Sequence, residues 1–187
     1  MDILSITDHT IHAFVQVSAS NPLFEWIYTT IYASLDLNTC FQFWDNLSFF
    51  ASSHSLSWLM AGDFNDIMGN NENHSYSSPN RNHIAHFNNV LNDCNLLNLG
   101  YNGPRLMWKN KKDSRLVMKR LDRALCNPSW QLLFEETKVV HFLRTSSNHN
   151  PILINTLPSP PHPCNHPFHL KTMWFNNSFF PNVVNDA

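Results

Sequence analysis

The run Trp58-Leu59-Met60-Ala61-Gly62-Asp63-Phe64-Asn65 places a carboxylate and a carboxamide two residues apart at the end of an apolar stretch of strand length. Residues i and i+2 of a strand point to the same face, so Asp63 and Asn65 are expected to project together into one pocket. Gly62 is expected to let the backbone approach closely, and Phe64 to be buried behind the pair. Such a pair suits phosphoester chemistry. The carboxylate can position and deprotonate a water, while the amide holds a phosphate oxygen or that water. Taken alone, the same residues also fit a Gly-Asp turn closing an ordinary buried strand.

A second signal lies far downstream, where Ser146-Ser147-Asn148-His149-Asn150 sets a histidine loop just before the apolar Pro151-Ile152-Leu153-Ile154. Between the two stand Gly103-Pro104-Arg105-Leu106-Met107-Trp108-Lys109-Asn110 and Lys119-Arg120-Leu121-Asp122-Arg123-Ala124-Leu125-Cys126-Asn127. This ordered series resembles the endonuclease/exonuclease/phosphatase superfamily, the DNase I-like fold. More narrowly, it resembles the endonuclease region of plant LINE-type (non-LTR) retrotransposon polyproteins. Members carry a Gly-Asp-Phe-Asn strand end, a Gly-Pro-x-Phe-Thr-Trp-x-Asn hairpin, an Arg-Leu-Asp-Arg-Ala strand and a Ser-Asp-His loop, in that order. The resemblance spans residues 11–157. It continues in Phe168-His169-Leu170-Lys171-Thr172-Met173-Trp174, similar to the segment that joins such an endonuclease to a following reverse transcriptase.

The resemblance implies a role for each matching residue. Asp63 would orient the attacking water and Asn65 bind phosphate. His149 would stabilise charge on the phosphate, and Asp122 would hydrogen-bond that imidazole, fixing its tautomer and favouring its charged form. Tyr32, a neutral phenolic donor, would contact the scissile phosphate; a packed strand aromatic is the alternative. Trp108, Lys109, Asn110 and Arg120 would bind substrate DNA. The alternative for Asp122 is a surface ion pair with Arg120 or Arg123.

Mg²⁺ is the implied cofactor, yet no metal ligand is assigned. The family's metal-binding Glu and an Asn lie on strands that should precede residue 11, and only ten residues stand there. Asp2 and Asp8 are expected to lie too near the start to sit on strands of an intact sheet. Asn148 replaces the loop carboxylate, Leu35 stands where many relatives have Asn, and Met107 stands where the hairpin Thr would be. The expected function is therefore an inactive remnant of a retroelement endonuclease, ancestrally a Mg²⁺-dependent phosphodiesterase. The alternatives are a surviving metal-dependent endonuclease and a non-catalytic nucleic-acid-binding module.

With 187 residues, 43% hydrophobic and only 14% charged, the composition is that of a folded domain with a real core. A net charge of −2 gives no global electrostatic case for nucleic acid. Basic residues do concentrate around one hairpin (Lys109, Lys111, Lys112, Arg115, Lys119, Arg120, Arg123), which fits either DNA contact or a solvated tip. Cys40, Cys94, Cys126 and Cys164 show no C-x-x-C spacing and read as reduced intracellular thiols. No membrane span or secretory signal is visible, so a nuclear or cytoplasmic location is expected. His162, Cys164, His166 and His169 offer zinc-type ligands, but the intervening prolines disfavour a closed tetrahedral site.

The elements that must position these residues follow from periodicity. Strands are expected at 10–17, 24–33, 57–62, 96–99, 105–108, 117–125, 138–142 and 152–155. Helices are expected at 37–50, capped by Asn38 or Thr39, at 82–93 and at 128–134. Residues 66–80 read as a long polar loop. The fold class is α/β, a partial four-layer α/β-β/α sandwich whose N-terminal half is largely missing. Residues 1–157 would form the domain and 158–187 a Pro/His-rich linker. An apolar sheet face left without its partner, with Phe24, Trp26 and Ile31 as candidates, would promote oligomers or aggregation.

Overall fold

The computed structural model describes residues 2–17, 24–112, 114–144 and 146–157. In chain order these form β1 (Asp2–Ile6), β2 (Thr10–Val17), β3 (Phe24–Tyr32), α1 (Leu37–Ser53), β4 (Ser57–Asp63), β5 (Asn73–His74) and α2 (Arg81–Asp93). There follow β6 (Leu97–Asn98), β7 (Trp108–Lys112), β8 (Arg115–Lys119), β9 (Asp122–Cys126), α3 (Pro128–Leu133), β10 (Lys138–His141) and β11 (Ile152–Asn155). The strands make three sheets, ordered β1-β2-β3-β4-β9-β6, β10-β11 and β5-β8-β7.

Alternation along β4 divides the core. Trp58 and Met60 face one side with Ile27, Ile31 and Leu125, where α1 and α2 bring Phe43, Trp44, Leu47, Phe87 and Leu91. Leu59 and Ala61 face the other side with Ala124 and Cys126, against Trp130 of α3 and Val139 of β10. Each side buries one face of the same sheet, against helices in one case and against a second small sheet in the other, which is the layering expected from the sequence. Helix starts are fixed by polar caps. Asp36, rather than Asn38 or Thr39, caps α1 by accepting the Thr39 N–H at 3.0 Å. Asn127 caps α3 through the Trp130 N–H at 3.0 Å and also accepts the Trp58 N–H at 2.9 Å, tying that helix to the central strand.

Three expectations are corrected. The strand anticipated over 117–125 is two strands in different sheets. The chain changes sheet at Arg120 and Leu121, whose backbone groups bond to Glu72 and Phe64 instead of continuing a ladder. Asp2 does lie on a strand, β1, which pairs antiparallel with β2 at the edge of the six-stranded sheet. As an edge strand it leaves Ile3 and Ile6 exposed. Ile31 does not join an exposed patch with Trp26. Odd and even positions of β3 face opposite sides, and Ile31 is 4% exposed beneath the helices.

On the other side, a cavity of about 640 Å³ separates Val15, Trp26, Tyr28 and Thr30 from Ile152 and Ile154 of β11. This part of the sheet is covered incompletely. The side chain of Phe24, the linker at 158–187, His162, Cys164, His166, His169 and the Phe168–Trp174 segment lie outside the described residues. Among the described residues, no helix is long and apolar enough to cross a membrane.

Candidate active site

Sheet register assembles the site. Tyr32 pairs with Asp63 across the parallel β3–β4 ladder, and Asp63 pairs with Asp122 across antiparallel β4–β9. The three residues form one row across the ends of three neighbouring strands, and residues in register share a face. The parallel ladder is close here because residue 62 is glycine. A Cβ at Gly62 would lie 2.0 Å from the Ile31 carbonyl oxygen, and its φ of +145° disfavours any other residue.

The fourth residue arrives from the loop before β11. That loop is anchored by Lys109 N–H to the Asn148 carbonyl at 3.0 Å and by Asn150 N–H to the Met107 carbonyl at 3.1 Å. Between those anchors, His149 Nδ1 lies 2.8 Å from Asp122 Oδ2, and Nε2 lies 3.8 Å from Asp63 Oδ2. Both carboxylates are buried, which pushes their protonation up from the ordinary carboxylate range. The Asn65 N–H opposes this at Asp63, and the hydrogen bond from His149 opposes it at Asp122. With Asp122 accepting from Nδ1–H, the imidazole is held in one orientation and turns Nε2 toward Asp63. This arrangement can hold a water or a phosphate oxygen between a buried carboxylate and an oriented imidazole.

Asn65 reaches the site differently from expectation. β4 ends at Asp63 and Asn65 adopts φ +51°, so strand alternation does not extend to it. Its N–H turns back to Asp63 Oδ1 at 2.9 Å and its Nδ2 donates to the Ala33 carbonyl at 2.6 Å. Asn65 therefore braces Asp63 against the end of β3. Phe64 is fully buried behind, as expected. The Tyr32 ring is 63% exposed, not a packed core aromatic.

Trp108, Lys109 and Asn110 lie on β7, next to the histidine loop. Arg120 does not face a substrate. It is buried, with Nη1 donating to Glu72 Oε1 at 2.9 Å and Nη2 to Asn98 Oδ1 at 3.2 Å. Arg123 is likewise buried and donates through Nη2 to Glu72 Oε2 at 3.0 Å, so neither arginine pairs with Asp122. Glu72 was not singled out from the sequence. The available signal was a lone acid among residues 67–92, facing a segment with two arginines around Asp122.

Ligand atoms of Asp63, Asp122 and His149 lie within 4.8 Å of one another. Mg²⁺ favours octahedral oxygen coordination. Here Asp122 is engaged by Nδ1 and the third donor is nitrogen, so the trio does not by itself make a Mg²⁺ site. No other acidic, histidine or cysteine side chain among the described residues joins the cluster.

No family model matches this sequence, and no curated protein matches it. Among solved structures, the endonuclease domain of TRAS1, a telomere-specific non-LTR retrotransposon, superposes with a TM-score of 0.63 at 16% identity. The match covers 82% of this chain and 68% of that one. The chain thus has the fold of that endonuclease domain, the DNase I-like fold.

Proposed function

We propose that this chain is a domain derived from a plant LINE-type retroelement endonuclease, able to hold a DNA phosphodiester but not to cleave it unaided. The observation that carries this reading is the Asp122–His149 hydrogen bond of 2.8 Å, with Nε2 turned to Asp63 at 3.8 Å. In this arrangement Asp63 orients a water, and His149, steadied by Asp122, hydrogen-bonds a non-bridging phosphate oxygen. Tyr32, one strand over in the same row, adds a neutral donor on the exposed side. Phosphodiester cleavage also needs charge neutralised at the leaving oxygen, the usual contribution of Mg²⁺. The described residues offer it no second free carboxylate beside Asp63. On this reading the ancestral polyprotein also carried a reverse transcriptase.

The test is nicking of supercoiled plasmid in Mg²⁺, with filter binding of the same DNA over a salt series. The expected result is salt-dependent binding with no nicking above an Asp63→Ala control. Metal-dependent nicking that disappears in both Asp63→Ala and His149→Ala would overturn the inactive reading and establish a surviving endonuclease. The exposed side chains of Lys109, Lys111 and Arg115 on the β7–β8 hairpin favour a second reading, a nucleic-acid-binding module without chemistry. It predicts binding that survives Asp63→Ala and His149→Ala but falls when these basic residues are replaced.

A further inference from the structure

Away from Asp63 and His149, α1, α2 and the segment after β4 meet at a second group of metal-ligand side chains. Cys40 stands in the first turn of α1, Asp66 lies just beyond the end of β4, and His83 and His86 sit on α2. Three residues apart in a helix, the two histidines are neighbours on one face. With Phe41 and Trp44 these four residues line one small cavity, and each of the four is half-buried. The cavity measures about 10 Å³, room for a single water-sized occupant.

The lining itself points to a cation. The one hydrogen bond of the Asp66 carboxylate among the described residues is a weak one from the Cys40 thiol, with Sγ 4.0 Å from Oδ2. Buried carboxylates are ordinarily paired or coordinate a metal. That separation is close to the roughly 3.6 Å spanned at a tetrahedral zinc ion by a sulfur bond of about 2.3 Å and an oxygen bond of about 2.1 Å. The Asp66 backbone is fixed, since its carbonyl accepts from Arg123 Nη2 at 2.9 Å. Trp44 is 1% exposed, and its buried indole N–H makes no well-formed hydrogen bond. Burial, followed by Asp66, pushes the protonation of the Cys40 thiol up, and this N–H opposes them. A metal-bound thiolate is the acceptor that the indole lacks. No three of the four ligand atoms yet lie within 4.8 Å of one another, as those of Asp63, Asp122 and His149 do. His83 and His86 close the shell by turning about their side-chain bonds, His86 leaving its edge-on contact with the Phe41 ring at 4.6 Å. We propose that Cys40, Asp66, His83 and His86 hold one zinc ion in tetrahedral coordination, joining α1 and α2 to the segment that follows Asn65. A thiolate and two imidazoles favour zinc over Mg²⁺. Binding releases the thiol proton to solvent.

The experiment titrates the reduced full chain, carrying Cys164→Ser so that this thiol contributes nothing, with Co²⁺ as a spectroscopic substitute for zinc. One equivalent should give a thiolate-to-cobalt charge-transfer band in the near ultraviolet and the visible d–d bands of a tetrahedral ion. Zn²⁺ should displace it and excess Mg²⁺ should not. Asp63, Asp122 and His149 offer no sulfur, so cobalt bound there gives no such band. Cys40→Ser should abolish the charge-transfer band. His83→Gln and His86→Gln should each weaken cobalt binding by at least about 10- to 100-fold, the loss typical even of groups that only support a ligand. Circular dichroism establishes that each variant is folded, and the histidine variants decide the question if Cys40→Ser does not fold. Absence of the band from the Cys164→Ser chain, its retention in folded Cys40→Ser, or unchanged affinity in both histidine variants would overturn the site.

Discussion

Replacing Glu72 with alanine tests how the candidate site is held in place. Glu72 is 6% exposed and accepts from Arg120 Nη1 at 2.9 Å, Arg123 Nη2 at 3.0 Å, Arg123 Nη1 at 3.3 Å and the Met68 N–H at 2.6 Å. Burial alone would raise its pKa, but the charge and hydrogen bonds of Arg123 outweigh this and hold it below the ordinary range. Removing the carboxylate leaves two guanidiniums, 5% and 0% exposed, without the carboxylate that both hydrogen-bond, although Arg123 still feels the charge of Asp66. Breaking a buried pair in this way costs about 3 to 5 kcal/mol, because the remaining charge is stranded. Against a total stability of about 5 to 15 kcal/mol, Glu72→Ala should therefore lose a large part of the folding free energy. Urea denaturation followed by tryptophan fluorescence measures this directly. The triple variant Glu72→Met, Arg120→Met, Arg123→Leu should recover most of the loss, since apolar replacements of a whole buried triad are often neutral. A Glu72→Ala loss below about 1 kcal/mol, the size of an exposed pair, would refute the reasoning.

Other outcomes follow from the same structure. His12 is 6% exposed, hydrogen-bonded through Nδ1 to Thr29 Oγ1 at 2.8 Å and stacked on Phe50, and burial followed by the nearby His54 lowers its pKa from 6.5 to about 4. A lowered histidine favours the neutral form in the fold, so its contribution is present above pH 6.5 and is lost as pH falls toward about 4. Urea midpoints should record a loss of up to about 3 kcal/mol over that interval, much of it absent in His12→Gln. Asn148→Asp should not create nicking above the Asp63→Ala control. Asn148 is exposed, its structural bond is made by its carbonyl, and the substitution supplies no metal ligand beside Asp63. Gly62→Ala would force a Cβ to within 2.0 Å of the Ile31 carbonyl oxygen, so it should cost roughly 3 to 5 kcal/mol or prevent folding, read by circular dichroism during thermal unfolding.

The sequence alone was enough to place the elements whose signals are local. β2 and β11 follow their predicted bounds, and β4 ends within one residue of its predicted end, because alternation or an apolar run is visible in a short window. Asp63, Asp122 and His149 could also be singled out as candidates, since each stands in a motif at a strand end or in the loop before one. Their meeting was expected through the resemblance and the strand-end placement of the motifs, but not its geometry. It depends on β4 pairing with β9 in the register that sets Asp63 opposite Asp122, and on two backbone bonds from β7 that seat the histidine loop. Those are contacts between segments far apart in the chain, and no local pattern encodes their register. For the same reason Arg120 read as a substrate ligand when its charge serves the buried Glu72, 48 residues away. Asn65 read as a strand residue when a positive φ had already ended the strand. Residue type and local pattern fixed what chemistry was available. Packing and sheet register decided which of those groups face one another, because burial and hydrogen-bond geometry exist only once distant strands are paired.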